Sequence, residues 1–281
     1  MNGTGPSSGL ADGGTPVGVF GSNFQQGAVV QIGGVAATDV QVVDANTINC
    51  KTGALPAGSL NDVVVTNPGN LDGVLANGWF ADFLDVPETN LFHDDVESLF
   101  RRAITAGCGA GAYCPDASVR RDQMAVFLLK AEHGSSFDPP PCTGVFSDVP
   151  CPSPYADWIE QLVTEGITAG CGPGQYCPNA SVTRAQMAAF ILKTEHGSAY
   201  VPPACTGEFL DVACPSVFAN WIEQLAAEGV TAGCGNGDYC PASPVKRGQL
   251  ATFLMRSTFD APTVKIVPPA RRVPRAVRPR R

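Results

Sequence analysis

The stretch GCGPGQYCPNASVTRAQ, residues 170–186, puts Cys171 and Cys177 six apart around a Gly-rich loop, with Tyr176 beside the second cysteine and Arg184 at a helix start. Three chemistries fit these residue types: a thiolate metal site, a catalytic elbow, or a stapled loop that presents a cation. The chain compared with itself narrows the choice. Cys108, Cys171 and Cys234 open GCGAGAYCP, GCGPGQYCP and GCGNGDYCP; Arg121, Arg184 and Arg247 lie in VRRDQMAVFLL, VTRAQMAAFIL and VKRGQLATFLM; Phe83, Phe146 and Phe209 open FLDV, FSDV and FLDV. Every landmark recurs at a spacing of 63, so three tandem units span about Phe83 to Phe259.

The second and third units hold four cysteines each: Cys142, Cys151, Cys171 and Cys177, then Cys205, Cys214, Cys234 and Cys240. The first unit keeps Cys108 and Cys114 but has Trp79 and Glu88 where the others have their leading pair. Two cysteines lost together are expected to be partners. The pairing is therefore Cys142 to Cys151, Cys205 to Cys214, and a loop bond at 108–114, 171–177 and 234–240. Structural zinc sites use pairs two to four residues apart, often with His. Here five or eight residues intervene, and His133 and His196 lie beyond the second helix, so no metal site is expected. Cys50, on the same strand face as Ile48, is expected to be a buried free thiol.

Each unit reads as helix, loop, helix. In the second, Trp158, Ile159, Leu162 and Val163 share one helical face before Gly166. A second helix opens at Thr183, whose spacing to Gln186 fits a capping box, and buries Met187, Phe190 and Ile191. One such pair cannot bury its own apolar stripe, so the units are expected to pack together. Residues 1–82 differ in texture. PVGVF, GAVVQIGG, TDVQVV, TINCKT and NDVVVTNP are short β-branched runs divided by turn residues, which is the pattern of a β-sandwich. The expected class is a multidomain chain: an all-β immunoglobulin-like sandwich (1–82), then a mainly α pseudo-threefold bundle of helix-loop-helix repeats (83–141, 142–204, 205–260). A basic Pro/Arg-rich tail (261–281) reads as disordered.

Charge bounds the function. Of 18 Lys and Arg, seven lie in the last 17 residues, which hold no acid; residues 1–264 carry 11 bases against 26 acids. Such an acidic body disfavours nucleic acid. No apolar run approaches the roughly 18 to 20 residues of a membrane span. Eleven cysteines against three histidines imply an oxidising, extracytoplasmic setting. No secretion signal follows Met1, and little of a first strand precedes GPSSG, so the sequence is expected to be truncated at its N-terminus.

The three units resemble S-layer homology (SLH) repeats, through FSDV, EGITAGCGPGQYCP and VTRAQ. Residues 1–82 resemble an IPT/TIG domain, through GGTPVGVFGSNF, GAVVQIGGVAATDV and NDVVVTNPGN. The resemblance implies an extracellular, bacterial cell-surface protein whose repeats form a pseudo-trimeric spindle and bind acidic cell-wall polysaccharide in grooves between units. It implies glycan contacts at Arg121, Arg184 and Arg247, with Asp85, Asp148 and Asp211 as further family positions; the same arginines could instead pair with Asp148 or another acid and hold the units together, and Asp148 fits a cap of the following turn better than a ligand contact. An Arg fork at a helix N-terminus suits a carboxylate. Trp158 and Trp221 lie near the family's aromatic positions, as sugar platform or as core; Asp95 stands there in the first unit, whose groove contribution is expected to be weaker. The family Glu is replaced by Gln123, Gln186 and Gln249. No cofactor is implied. Glu160 and Glu223 recur as exposed helix residues without the cleft that glycoside hydrolysis needs, so no enzyme is expected. The alternative is a structural or adhesive module binding protein partners through the sandwich.

Overall fold

The computed structural model describes residues 1–257; the tail expected over 261–281 lies outside the described residues. The N-terminal part is two packed sheets. One has four strands, β1 (Gly3–Gly5), β3 (Pro16–Phe20), β7 (Thr47–Lys51) and β6 (Thr38–Asp44), in the order β1-β3-β7-β6. The other orders β2 (Ser8–Gly9), β9 (Leu71–Ala81), β8 (Ser59–Asn67), β4 (Val29–Ile32) and β5 (Val35–Ala36) as β2-β9-β8-β4-β5. Alternation places Val17 and Val19, Ile48 and Cys50, and Val63 and Val65 inside, around a fully buried Trp79. Burial raises the Cys50 thiol to about 11, which makes it a poor nucleophile at neutral pH.

The first strand is present, split between the two sheets. Gly3–Gly5 pairs antiparallel with β3, and Ser8–Gly9 pairs parallel with β9. Pieces of three and two small residues carry no alternating pattern, which is why the sequence reads as lacking the strand there.

Six helices follow in three pairs: α1 (His93–Arg101) and α2 (Arg121–His133), α3 (Ala156–Thr164) and α4 (Arg184–His196), α5 (Ala219–Ala227) and α6 (Arg247–Arg256). The first helix of each pair is short and buries one stripe, such as Ile159 and Leu162 in α3. The second is buried nearly all round, as Met187, Ala188, Phe190, Ile191 and Leu192 show in α4. Thr183 caps α4: its hydroxyl accepts the Gln186 amide, and the Gln186 side chain accepts the Thr183 amide. At α2 and α6 the capping residues are Arg120 and Lys246, and only the Gln half of the box remains, from Gln123 and Gln249.

The units meet at a closed ring of backbone hydrogen bonds. The Val119 amide donates to the Val245 carbonyl (2.8 Å), Val182 to Val119 (2.9 Å) and Val245 to Val182 (2.9 Å). All three side chains are fully buried. One continuous apolar core runs through the three pairs and takes in Phe80, Phe83 and Leu60, so it reaches the end of the sandwich.

The junction with the sandwich is also polar. Arg101 donates to the carbonyls of Asn77 and Ser7, and His93 meets Asp82 at 3.1 Å with both side chains buried. The hydrogen bond to Asp82 raises the His93 pKa against an opposing burial penalty, to about 9. A histidine whose pKa rises on folding contributes stability in full below its unfolded value of about 6.5 and loses it as pH climbs through the folded value. The pair is thus expected to contribute about 3 kcal/mol at pH 6 that is gone by pH 10. Thermal unfolding between these limits checks it: His93→Gln should flatten this part of the profile.

Candidate functional site

The three arginines open the second helices, and each reaches into the next unit. Arg121 Nε donates to the Tyr176 carbonyl (2.8 Å), Arg184 Nε to Tyr239 (2.8 Å) and Arg247 Nε to Tyr113 (2.9 Å). Each tyrosine answers: its hydroxyl donates to the backbone carbonyl of the same arginine, at 2.8, 2.9 and 3.1 Å. Each guanidinium also lies 4.7 Å from that tyrosine's ring centroid. The tight loops leave carbonyls turned inward, and a planar fork with five donors is the side chain able to satisfy several at once. The arginines are consequently only 3, 4 and 5% exposed. Burial lowers their pKa against the opposing pull of the nearby tyrosine and Asp148, Asp211 or Asp85. The guanidinium groups are thus locks between units, and Arg247 and Arg184 also line the grooves described below.

The aspartates hold the loop backbone. Asp148 accepts the amides of Tyr176 (2.8 Å) and Cys177 (2.7 Å); Asp85 holds Tyr113 and Cys114, and Asp211 holds Tyr239 and Cys240, in the same way. Burial works against the charge of Asp148, but these amides outweigh it and its pKa falls below the ordinary carboxylate value. The residues held are those of the stapled loop. Disulfides join Cys108 to Cys114, Cys171 to Cys177 and Cys234 to Cys240, and the connectors carry Cys142 to Cys151 and Cys205 to Cys214. With these sulfurs bonded to each other, none is a thiolate ligand.

Aspartate, loop, tyrosine and arginine therefore form one mechanical chain around the ring. It leaves grooves between units. One, of 250 Å³, is lined by Thr105 and Gly107 of the first loop, Gln123, Phe127 and Lys130 of α2, Tyr155 of the second unit and Arg247 of the third. Another, of 280 Å³, has the equivalents Thr231, Gly233, Gln249, Phe253, Arg256, Phe92 and Arg184, with Asp95 added. Arg121 has the matching partners, Thr168 and the Phe190 ring at 5.7 Å. Lys130 and Arg256, which line these grooves, recur at 63 with Lys193 between them, a signal present in the sequence and missed there.

Trp158 and Trp221 do not line these grooves. They pack edge-on to the connector aromatics Phe137 (6.1 Å) and Tyr200 (6.2 Å), and Lys130 and Lys193 lie 5.8 and 5.9 Å from their rings. The aromatics in the grooves are Tyr155 and Phe127, or Phe92 and Phe253. Glu160 and Glu223 are not the open helix acids expected. Glu160 accepts the Thr143, Gly144 and Val145 amides and the Thr143 hydroxyl, and Glu223 repeats this with Thr206, Gly207 and Glu208. Burial raises the pKa of Glu160, but these donors reverse that and hold it below the ordinary value. Both acids pin the connector.

Comparison with known families matches the IPT/TIG domain over residues 2–80 and the S-layer homology domain over residues 145–188. The chain carries an IPT/TIG domain and an SLH domain. The SLH match covers the FSDV opening, the stapled loop and the start of α4, and so contains Asp148, Tyr176 and Arg184. Among curated relatives, a cell surface protein of Thermoanaerobacter kivui is 29% identical over 117 residues, 41% of this chain and 15% of the relative. Exoglucanase XynX of Acetivibrio thermocellus is 34% identical over 101 residues, 36% of this chain and 9% of the relative. The middle cell wall protein of Brevibacillus brevis is 25% identical over 114 residues, 40% of this chain and 11% of the relative. The chain thus spans a small part of each relative's length. Among the described residues, no helix is long and apolar enough to cross a membrane.

Proposed function

We propose that all three units are SLH repeats arranged as a pseudo-threefold bundle, and that the bundle anchors the chain to the bacterial envelope by binding acidic cell-wall polysaccharide in the grooves between units. The setting is extracellular and associated with the cell wall, as the SLH domain and the cell-surface and cell-wall relatives indicate. The observation that carries the reading is the groove itself. Each groove is assembled from three units, with a buried guanidinium in its lining, aromatic walls and a cation at the rim, on a body whose net charge is otherwise acidic. A sugar carboxylate would meet Lys130 or Arg256 at the rim and the remaining edge of Arg247 or Arg184 below, with charge-assisted hydrogen bonds. Neither Asp148 nor Trp158 is required to touch it.

No catalytic step is assigned. Asp148 and Glu160 are already held by backbone amides, and the exoglucanase relative shares only 9% of its length with this chain.

Binding of the intact chain to purified cell-wall sacculi tests the reading. Lys130→Ala, Lys193→Ala and Arg256→Ala together are expected to weaken retention at least about tenfold, the equivalent of ~1.4 kcal/mol, while the thermal midpoint moves little. Unchanged retention by a folded triple variant would remove the grooves as the binding surface and favour contacts through the IPT/TIG domain.

A further inference from the structure

Away from the grooves, one donor set occurs twice where consecutive units abut. Glu132 and His133 end α2, and Glu165 is the C-cap residue of α3. His133 Nε2 lies 2.9 Å from Glu165 Oε1 and 3.7 Å from Glu132 Oε2. Glu195, His196 and Glu228 repeat the arrangement at the next junction, with His196 Nε2 3.0 Å from Glu228 Oε1. In each trio one imidazole nitrogen and two carboxylate oxygens lie within 4.8 Å of one another.

Four features separate these trios from ordinary surface ion pairs. Glu132 Oε2 and Glu165 Oε2 are buried and have no hydrogen-bond partner, a costly placement for two neighbouring acids. Both acids stand at helix C-terminal ends, where the dipole is negative, so the fold concentrates negative potential that favours a cation. The donors are also held in place: Gln161 donates to Glu165 and Gln224 to Glu228 at 2.6 Å, and Phe137 and Tyr200 lie 4.4 and 4.3 Å from the histidine rings. Finally, in sequence the equivalent positions at the third junction are Arg102, Thr258 and Phe259. All three donors are lost together in the sequence, and a cation replaces an acid.

We propose that each trio binds one divalent cation of the zinc class, so that the chain takes up two ions that clip the first unit to the second and the second to the third. One imidazole and two carboxylates form a borderline donor set that suits Zn²⁺, with water as the fourth ligand. Calcium would demand six to eight oxygens. Zinc bonds of about 2.0–2.2 Å place tetrahedral ligands about 3.3 to 3.6 Å apart, a range that the 2.9 and 3.7 Å separations from His133 Nε2 bracket. Side-chain exposures of 32, 30 and 20% at His133, Glu132 and Glu165 leave the ion a route in.

Equilibrium dialysis of the chelator-stripped full chain against zinc chloride, read by elemental analysis and paired with calorimetric melting, tests the proposal. Two zinc ions per chain are expected, one after His133→Ala and none after His133→Ala with His196→Ala. Zinc should raise the melting midpoint of the wild type and leave that of the double variant unmoved. Circular dichroism establishes that the variants are folded, and Glu165→Gln provides a milder second substitution expected to weaken one ion's binding tenfold or more. Absence of zinc uptake, uptake unaffected by these substitutions, or a preference for calcium chloride over zinc chloride would each overturn it.

Discussion

Reducing the five disulfides is expected to unfold the helical half of the molecule while leaving the IPT/TIG sandwich assembled. The bonds close spans of six or nine residues, and on the chain-entropy account each removes about 2 to 2.5 kcal/mol of freedom from the unfolded chain. Five together are worth on the order of 10 kcal/mol, which matches the whole stability of a typical domain of 5–15 kcal/mol. The dependence is severe because the loops they close have little apolar content: residues 170–175 are Gly, Cys, Gly, Pro, Gly and Gln. Once such a loop opens, Asp148 loses its amides and Arg121 loses the Tyr176 carbonyl, so one unit's failure passes to its neighbour. The sandwich holds a single, unbonded and buried cysteine. The tryptophans separate the two halves. Reductant should red-shift emission from Trp158 and Trp221 and remove the helical dichroism, while Trp79, fully buried in the sandwich, remains blue-shifted. Retention of helical signal in full reductant would show that the core stands without its staples.

The comparison of units made the disulfide pairing legible, and the structure adds the reason that the first unit dispenses with one bond. Position 79, equivalent to Cys142, lies within β9, where pairing with β8 holds the chain. Helix positions were equally legible, because Ile159, Leu162 and Met187 fall on periodic faces. The backbone partners of the charged residues were not. Arg184 and the Tyr239 carbonyl are 55 residues apart and belong to different units, and a backbone acceptor leaves no trace in residue type. The same holds for Asp148, whose partners are amides, and for Glu160, whose partners are the amides of a connector. Recurrence at 63 marks a residue as needed by every unit without saying whether it faces inward or outward. The Glu132, His133 and Glu165 trio was hidden for a related reason: its members lie up to 33 positions apart, and their connection appears only when α2 packs on α3.

Arg184→Ala is expected to lower stability by about 3 kcal/mol, because the lost hydrogen bonds are charge-assisted and their acceptors stay buried. The substitution leaves the Tyr239 and Gly233 carbonyls without the guanidinium and strips the cation from the Tyr239 and Phe253 rings. Two such bonds at about 1.5 to 3 kcal/mol each set the gross loss. Part of it is returned, since the buried guanidinium no longer pays for its own desolvation, the effect that lowers its pKa. Arg184→Lys keeps the charge but gathers its donors on one compact nitrogen where the fork spans the Tyr239 and Gly233 carbonyls, so it is expected to fall between wild type and Ala. Denaturant unfolding orders the three proteins, and hydrogen exchange should place the faster opening at the Tyr239–Cys240 loop rather than in the sandwich. A variant that melts like the wild type yet no longer binds sacculi would invert the assignment. Arg184 would then act on the ligand alone, and the ring of arginine and tyrosine contacts would contribute nothing to holding the units together.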